Sequence, residues 1–230
     1  MQPSNPSSSR AIRWTGIISI LATLLAIVAD LALQYTSNAE HLLSRQSLYL
    51  LDVPPDRLFL GHYLGVITIL IETFGFWQVY RALQPAGERY ALPFFLIGAF
   101  GAMLGAAYHA TFIFVGLTLQ AQSGTTSATF QAFSGLLASF NTSRIGLAVP
   151  AIFAIVLSSA WYAFVVGFKP SAYPRWMAIC NPLIFLLLII VISIGIRSLA
   201  LVLAPTALNV SHLLFFICST ATLWNRKTDS

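Results

Sequence analysis

Charge is scarce in this sequence. Only 8% of its 230 residues are Asp, Glu, Lys or Arg, while 57% are hydrophobic; an ordinary soluble domain carries about 25% charged residues. A soluble fold of this length has too little polar surface to cover such an apolar excess. Lipid has to solvate it, because apolar runs of about 20 residues recur along the whole chain instead of gathering into one core. Cysteine is scarce too. Cys180 and Cys218 both fall inside apolar segments, where they read as small buried hydrophobes rather than a disulfide framework. The formal charge of +5 comes from basic residues spaced singly along the chain, never as a patch interleaved with aromatics, which argues against a nucleic-acid surface. No H-E-x-x-H or similar short metal motif occurs. Ser134-Gly135 has Ala132 where a rhomboid-type G-x-S-G has its first glycine, so that intramembrane protease is rejected.

What is present predicts an all-α polytopic membrane protein, a bundle of six transmembrane helices. The spans are Thr15–Tyr35, Leu58–Ala82, Ala91–Leu119, Ile145–Gly167, Trp176–Arg197 and Pro205–Trp224, each bounded by polar, charged or Pro/Gly-rich residues. They form one domain over 14–225, between a Pro/Ser/Asn-rich tail (1–13) and a short tail (226–230). The first apolar run exceeds the roughly 7–15 residues of a signal-peptide core, so the first helix is expected to stay attached. Arg10, Arg13, Arg81, Arg89, Lys169, Arg175, Arg226 and Lys227 fall on one side, and Arg45, Arg57, Arg144 and Arg197 on the other. That asymmetry places both termini in the cytoplasm by the positive-inside rule. Trp14, Trp176 and Trp224 mark the inner boundary as belt residues. Of the outer loops, Asn38–Pro55 carries an apolar run, and Thr125–Phe140 has helical spacing and no charge, suiting an interfacial segment, a partial lid or a plain connection.

Ionisable groups inside a span each cost on the order of 2.5–3.5 kcal/mol at the helix centre, so each needs a reason. Five occur: Asp30, His62, Glu72, His109 and His212. At about 1.5 Å of rise per residue, Asp30, His62, His109, Asn209 and His212 come out at comparable depth in the outer leaflet, and Glu72 roughly 15 Å below His62 near the midplane. Gly98, Gly101, Gly105 and His109 follow helical spacing, so His109 ends a glycine ridge and faces protein. His62, Gly65, Ile69 and Glu72 fall within one half of the second helix.

If these helices converge, His62, His109 and His212 supply three imidazoles for a catalytic zinc, with Asp30 orienting the metal-bound water. Two of the histidines alone would also suit a haem. Hydrogen bonding between helices is the plainer use of each histidine. Glu72 reads as a buried protonated carboxyl or a proton carrier. Arg197 reads as an interfacial side chain or the counter-ion of Asp30, and Asn181-Pro182 as a kink in the fifth helix in which Asn181 bonds a freed carbonyl.

Two groups of residues carry resemblances. Leu83-Gln84-Pro85-Ala86-Gly87 with Gly105 to Ala110, including Tyr108 beside His109, and Tyr173-Pro174-Arg175-Trp176-Met177 with Asn181-Pro182 resemble an uncharacterised family of small bacterial six-helix membrane proteins. That resemblance covers most of the chain and implies no activity. Asp30, His62, His109, Ser211 and His212 are similar in type to the zinc sites of alkaline ceramidases and adiponectin receptors, which implies a hydrolase of a lipid amide or ester. The chain departs from them in its six spans and in lacking H-x-x-x-H in its last helix.

Three functions follow as expectations. The first is an outward-facing polar pocket for a lipid, small amphiphile or metal, with Asp30, Glu72, Tyr108 and Asn209 as ligand-binding or proton-carrying residues. The second is the zinc hydrolase, with Asp30 and Ser211 as catalytic candidates. The third is a proton-coupled transporter, or an assembly subunit whose glycine ridge serves a helix partner or a second copy of the chain.

Overall fold

The computed structural model describes residues 6–38, 40–41, 47–125 and 127–224, and among them every regular element is helical. Seven α-helices are α1 (Pro6–Gln34), α2 (Pro55–Ile71), α3 (Thr73–Leu83), α4 (Glu88–Ser123), α5 (Ser127–Phe168), α6 (Pro182–Gly195) and α7 (Arg197–Trp224), joined in part by short 3₁₀ turns. Among the described residues, five stretches are long and apolar enough to cross a membrane: Arg10–Gln34, Pro55–Ala86, Glu88–Ser123, Thr129–Phe168 and Ser198–Trp224. The expected membrane-type helical bundle is therefore present, and α1 begins at Pro6, inside the stretch read as a tail.

The fifth expected span is where sequence and structure part. Trp176 lies in a 3₁₀ turn, Arg175–Ile179, and the helix restarts only at Pro182. Asn181 is its N-cap: Oδ1 accepts from Ile184 N at 3.2 Å and Nδ2 donates to the Ala178 carbonyl at 2.9 Å. Proline follows at the first helical position, where its missing N–H costs nothing. So Asn181-Pro182 starts a helix instead of kinking one, and α6 has 14 residues, about 21 Å of rise.

Two other elements outrun their expected bounds. The stretch Thr125–Phe140 is mostly not a loop: Ser127 to Phe168 is one helix of 42 residues. The last helix begins at Arg197, eight residues before the expected start, and carries Pro205 within it. Between α2 and α3 the chain stays helical but tightens at Glu72, whose carbonyl accepts from Gly75 N at 2.8 Å and from Phe76 N at 3.4 Å.

Packing is closest between α4 and α5, α1 and α2, α6 and α7, and α1 and α7. Helices α5 and α7 hardly touch one another. One buried cluster near the Arg175–Ile179 end joins Phe76, Phe94, Tyr162, Phe215, Phe216 and Met177. A second, near the Leu48–Leu51 turn, joins Leu33, Leu50, Leu58, Phe112 and Val115. Trp14, Trp176 and Trp224 are all exposed at the first end, as belt residues require, and Arg13 stacks on Trp224 at 5.4 Å.

Candidate functional site

Between the two clusters lies a cavity of about 240 Å³. Its polar wall is built by α1 (Asp30, Gln34), the α2–α3 junction (Glu72), α4 (Tyr108, His109) and α7 (Asn209, His212). The remaining walls are apolar except for Ser158 of α5, and α6 contributes nothing to them. Gly98, Gly101 and Gly105 form part of the wall. The glycine ridge therefore faces its own chain: Gly98 meets Phe76, Gly101 meets Ala154 at 3.1 Å and Gly105 meets Ile69 at 3.7 Å from where a Cβ would stand.

The polar groups form two pairs. Asp30 Oδ1 lies 3.4 Å from His109 Nδ1, and Asp30 Oδ2 accepts from Asn209 Nδ2 at 2.7 Å. The other ring nitrogen of His109, Nε2, lies 3.0 Å from the Gly61 carbonyl. A carbonyl can only accept, so Nε2 carries a hydrogen. The contact between Nδ1 and Oδ1 then holds one further proton, shared as imidazolium–carboxylate or as imidazole–carboxylic acid, and the pair is neutral overall in either form. The second pair joins His212 Nδ1 to Glu72 Oε2 at 3.1 Å, with Phe76 edge-on to the His212 ring. Both carboxyl residues are buried, Glu72 at 0% exposure and Asp30 at 5%. Neutral acid–histidine pairs are the form in which such groups tolerate a low dielectric.

The expected gathering of three histidines does not occur. His62 is half-buried against Tyr63 and Phe114, with ring centres 4.9 and 6.3 Å away, and does not line the cavity. The inward stripe of α2 is Gly61, Gly65, Ile69 and Glu72, and His62 sits about 100° around the helix from Gly61. His212 lies about one turn beyond Asn209 on α7, about 4.5 Å of rise, while Asn209 itself stays at the level of Asp30. That depth takes it to Glu72 instead of to Asp30. Among the described residues no group of three or more His, Cys, Asp or Glu is placed to hold a metal ion. Ser211 is fully buried, donates to the Leu208 carbonyl at 2.6 Å and is not in the cavity wall, so its side chain has no access to a substrate there. The Arg197 side chain, read as a counter-ion of Asp30, lies outside the described residues.

Two features of the site had weak sequence signals. Gly65 admits the His109 ring, which a Cβ there would overlap, and Gly61 admits Leu33 and the Ala29 carbonyl of α1. Their spacing of four is visible in the sequence, but their partners are not. Arg144 stacks on Phe112 at 4.7 Å and on Tyr108 at 5.8 Å, and donates to Ser47 Oγ at 3.2 Å. It thereby ties the Leu48–Leu51 turn to two residues of the cavity wall.

These features define a class: a helical membrane-type protein with buried acid–histidine pairs along a mostly apolar cavity. The chain belongs to a family of unknown function (DUF6796), whose model matches residues 4–226. No curated protein and no solved structure matches it.

Proposed function

We propose that this protein sits in a bacterial inner membrane with both termini in the cytoplasm, and takes a lipid or small amphiphile from the bilayer into its cavity. The observation that carries this reading is the gap between α5 and α7. Ile152 and Leu208 both line the cavity, yet they are 53% and 38% exposed, so the cavity communicates sideways with the lipid phase. Apolar walls suit a tail, and the two acid–histidine pairs suit a head group.

Retention of ligand tests this. Purification in mild detergent followed by solvent extraction and mass spectrometry is expected to find an amphiphile in stoichiometric amount. Gly105→Leu should lose it, because a Cβ there meets only Ile69 at ordinary contact distance and the remaining leucine atoms fill the cavity. Gly146→Leu, at an exposed position with nothing within 4 Å, should keep it. Absence of any amphiphile from the wild type, or equal retention in Gly105→Leu, refutes the proposal.

A second reading, proton-coupled movement of that ligand, has its own support in the two buried acid–histidine pairs along one cavity. Its signature is pH-dependent ligand retention that disappears in Glu72→Gln. The zinc hydrolase has no such support, since the three imidazoles it needs lie apart.

A further inference from the structure

The cavity wall selects the chemistry of the ligand's head group. Four of its hydrogen-bond donors are already committed. Asn209 Nδ2 is on Asp30, Gln34 Nε2 on the Pro205 carbonyl at 3.4 Å, His109 Nε2 on the Gly61 carbonyl, and the Ser158 hydroxyl on the Ile155 carbonyl at 3.2 Å. One buried acceptor is not. Oε1 of Glu72 has no hydrogen-bond partner, although the residue has 0% exposure and lines the cavity. A buried acceptor left unpaired costs about 1–3 kcal/mol, and more when charged, so a ligand that supplies a donor recovers that penalty.

Charge points the same way. Two carboxyl groups line the cavity, and among the described residues no Lys or Arg does. Arg144 is engaged with the rings of Tyr108 and Phe112 and with Ser47, and is not in the wall. An anionic head such as a phosphate or carboxylate would meet two acid–histidine pairs and no Lys or Arg. A neutral hydroxyl head offers one donor and no charge.

We propose that the ligand is an amine-bearing amphiphile, whose N–H groups are taken by Oε1 of Glu72 while its apolar tail lies along the glycine-lined part of the cavity. This rests on the amphiphile-binding function proposed above. The amine answers the orphaned oxygen with a donor and the acid-rich wall with a positive charge, making a charge-assisted bond in a water-poor site.

The test is a matched series of dodecylamine, dodecanol and dodecanoate, titrated into the full chain in phosphatidylcholine nanodiscs at neutral pH. The same titration on Gly105→Leu is subtracted to remove partitioning into lipid. Dodecylamine is expected to bind about 10-fold or more tightly than dodecanol, and dodecanoate weakest, as a charge-assisted bond of about 1.5–3 kcal/mol implies. Glu72→Gln should reduce the amine-to-alcohol ratio to near one. The wild-type series stands without that variant, should the variant fail to fold. Dodecanoate or dodecanol binding as tightly as the amine overturns the head-group inference and leaves the amphiphile-binding function standing. An unchanged amine preference in folded Glu72→Gln also overturns it. No saturable binding by any of the three overturns both.

Discussion

Gly65→Ala adds one methyl group to α2, and the structure gives it a sign opposite to the ordinary one. Replacing glycine by alanine inside a helix normally stabilises by about 1 kcal/mol. Here the new Cβ would overlap the His109 ring, which is 3% exposed and fixed at both nitrogens by Gly61 and Asp30. The ring must move. Overpacking costs about 1–3 kcal/mol, and loss of the buried bond to the Gly61 carbonyl about 1–3 kcal/mol more. After the propensity gain, a net loss of about 1–5 kcal/mol is expected. The assay is reversible unfolding in mixed micelles, run as a cycle with His109→Ala. In the His109→Ala background the collision is gone, so Gly65→Ala should be neutral or stabilising, and the coupling should exceed about 2 kcal/mol. A coupling below about 0.5 kcal/mol, the usual scatter for independent sites, or a stabilised Gly65→Ala single variant, would refute the packing described around His109.

Other changes have equally definite outcomes. Asn209→Leu strips Asp30 Oδ2 of its 2.7 Å donor, and unfolding should show a loss of about 1–3 kcal/mol, the cost of stranding a buried acceptor. Burial pushes the Tyr49 phenol up to about 12, above the roughly 10 of an unfolded chain. The folded state thus holds that proton longer: its stability is intact below about pH 10 and falls by up to about 2–3 kcal/mol as pH climbs to about 12. Tyr49→Phe should flatten that alkaline slope in thermal unfolding. For topology, single cysteines at Ser139 and Ser171, in a background lacking Cys180 and Cys218, should react differently with an impermeant maleimide on intact cells. Ser139 should label at once and Ser171 only after permeabilisation; the reverse pattern inverts the orientation.

The helical membrane class was legible because composition and apolar run length alone decide it. Local phase was legible too: the inward faces of Asp30 on α1 and of His109 on α4 follow from helical spacing within each helix. What failed was depth across helices. Asn209 and His212 were set at one depth, but the single turn between them puts Asn209 on Asp30 and His212 on a different partner, Glu72. Pro205 hid the true start of α7, since proline ordinarily opens a helix, yet here it sits inside one. His62 failed for a different reason. Its neighbour Gly61 holds the inward position, and a choice of face one residue wide cannot be made without knowing which helix packs there. The Asn181-Pro182 step was read as a site where carbonyl bonding matters, and it is one, but the bond made by Asn181 belongs to a helix start.

The short helix α6 has a consequence for the surrounding bilayer. Its roughly 21 Å falls short of the roughly 30 Å of hydrocarbon that a span must cross, and it packs along α7, one wall of the gap that opens the cavity. Hydrophobic mismatch of this size is relieved by local thinning of the membrane. In the membrane placement proposed above, lipid head groups would be drawn inward beside one flank of the protein, and an amphiphile in that thinned collar would have less hydrocarbon to cross on its way to Glu72. The bundle would then recruit its ligand partly by deforming the solvent that carries it.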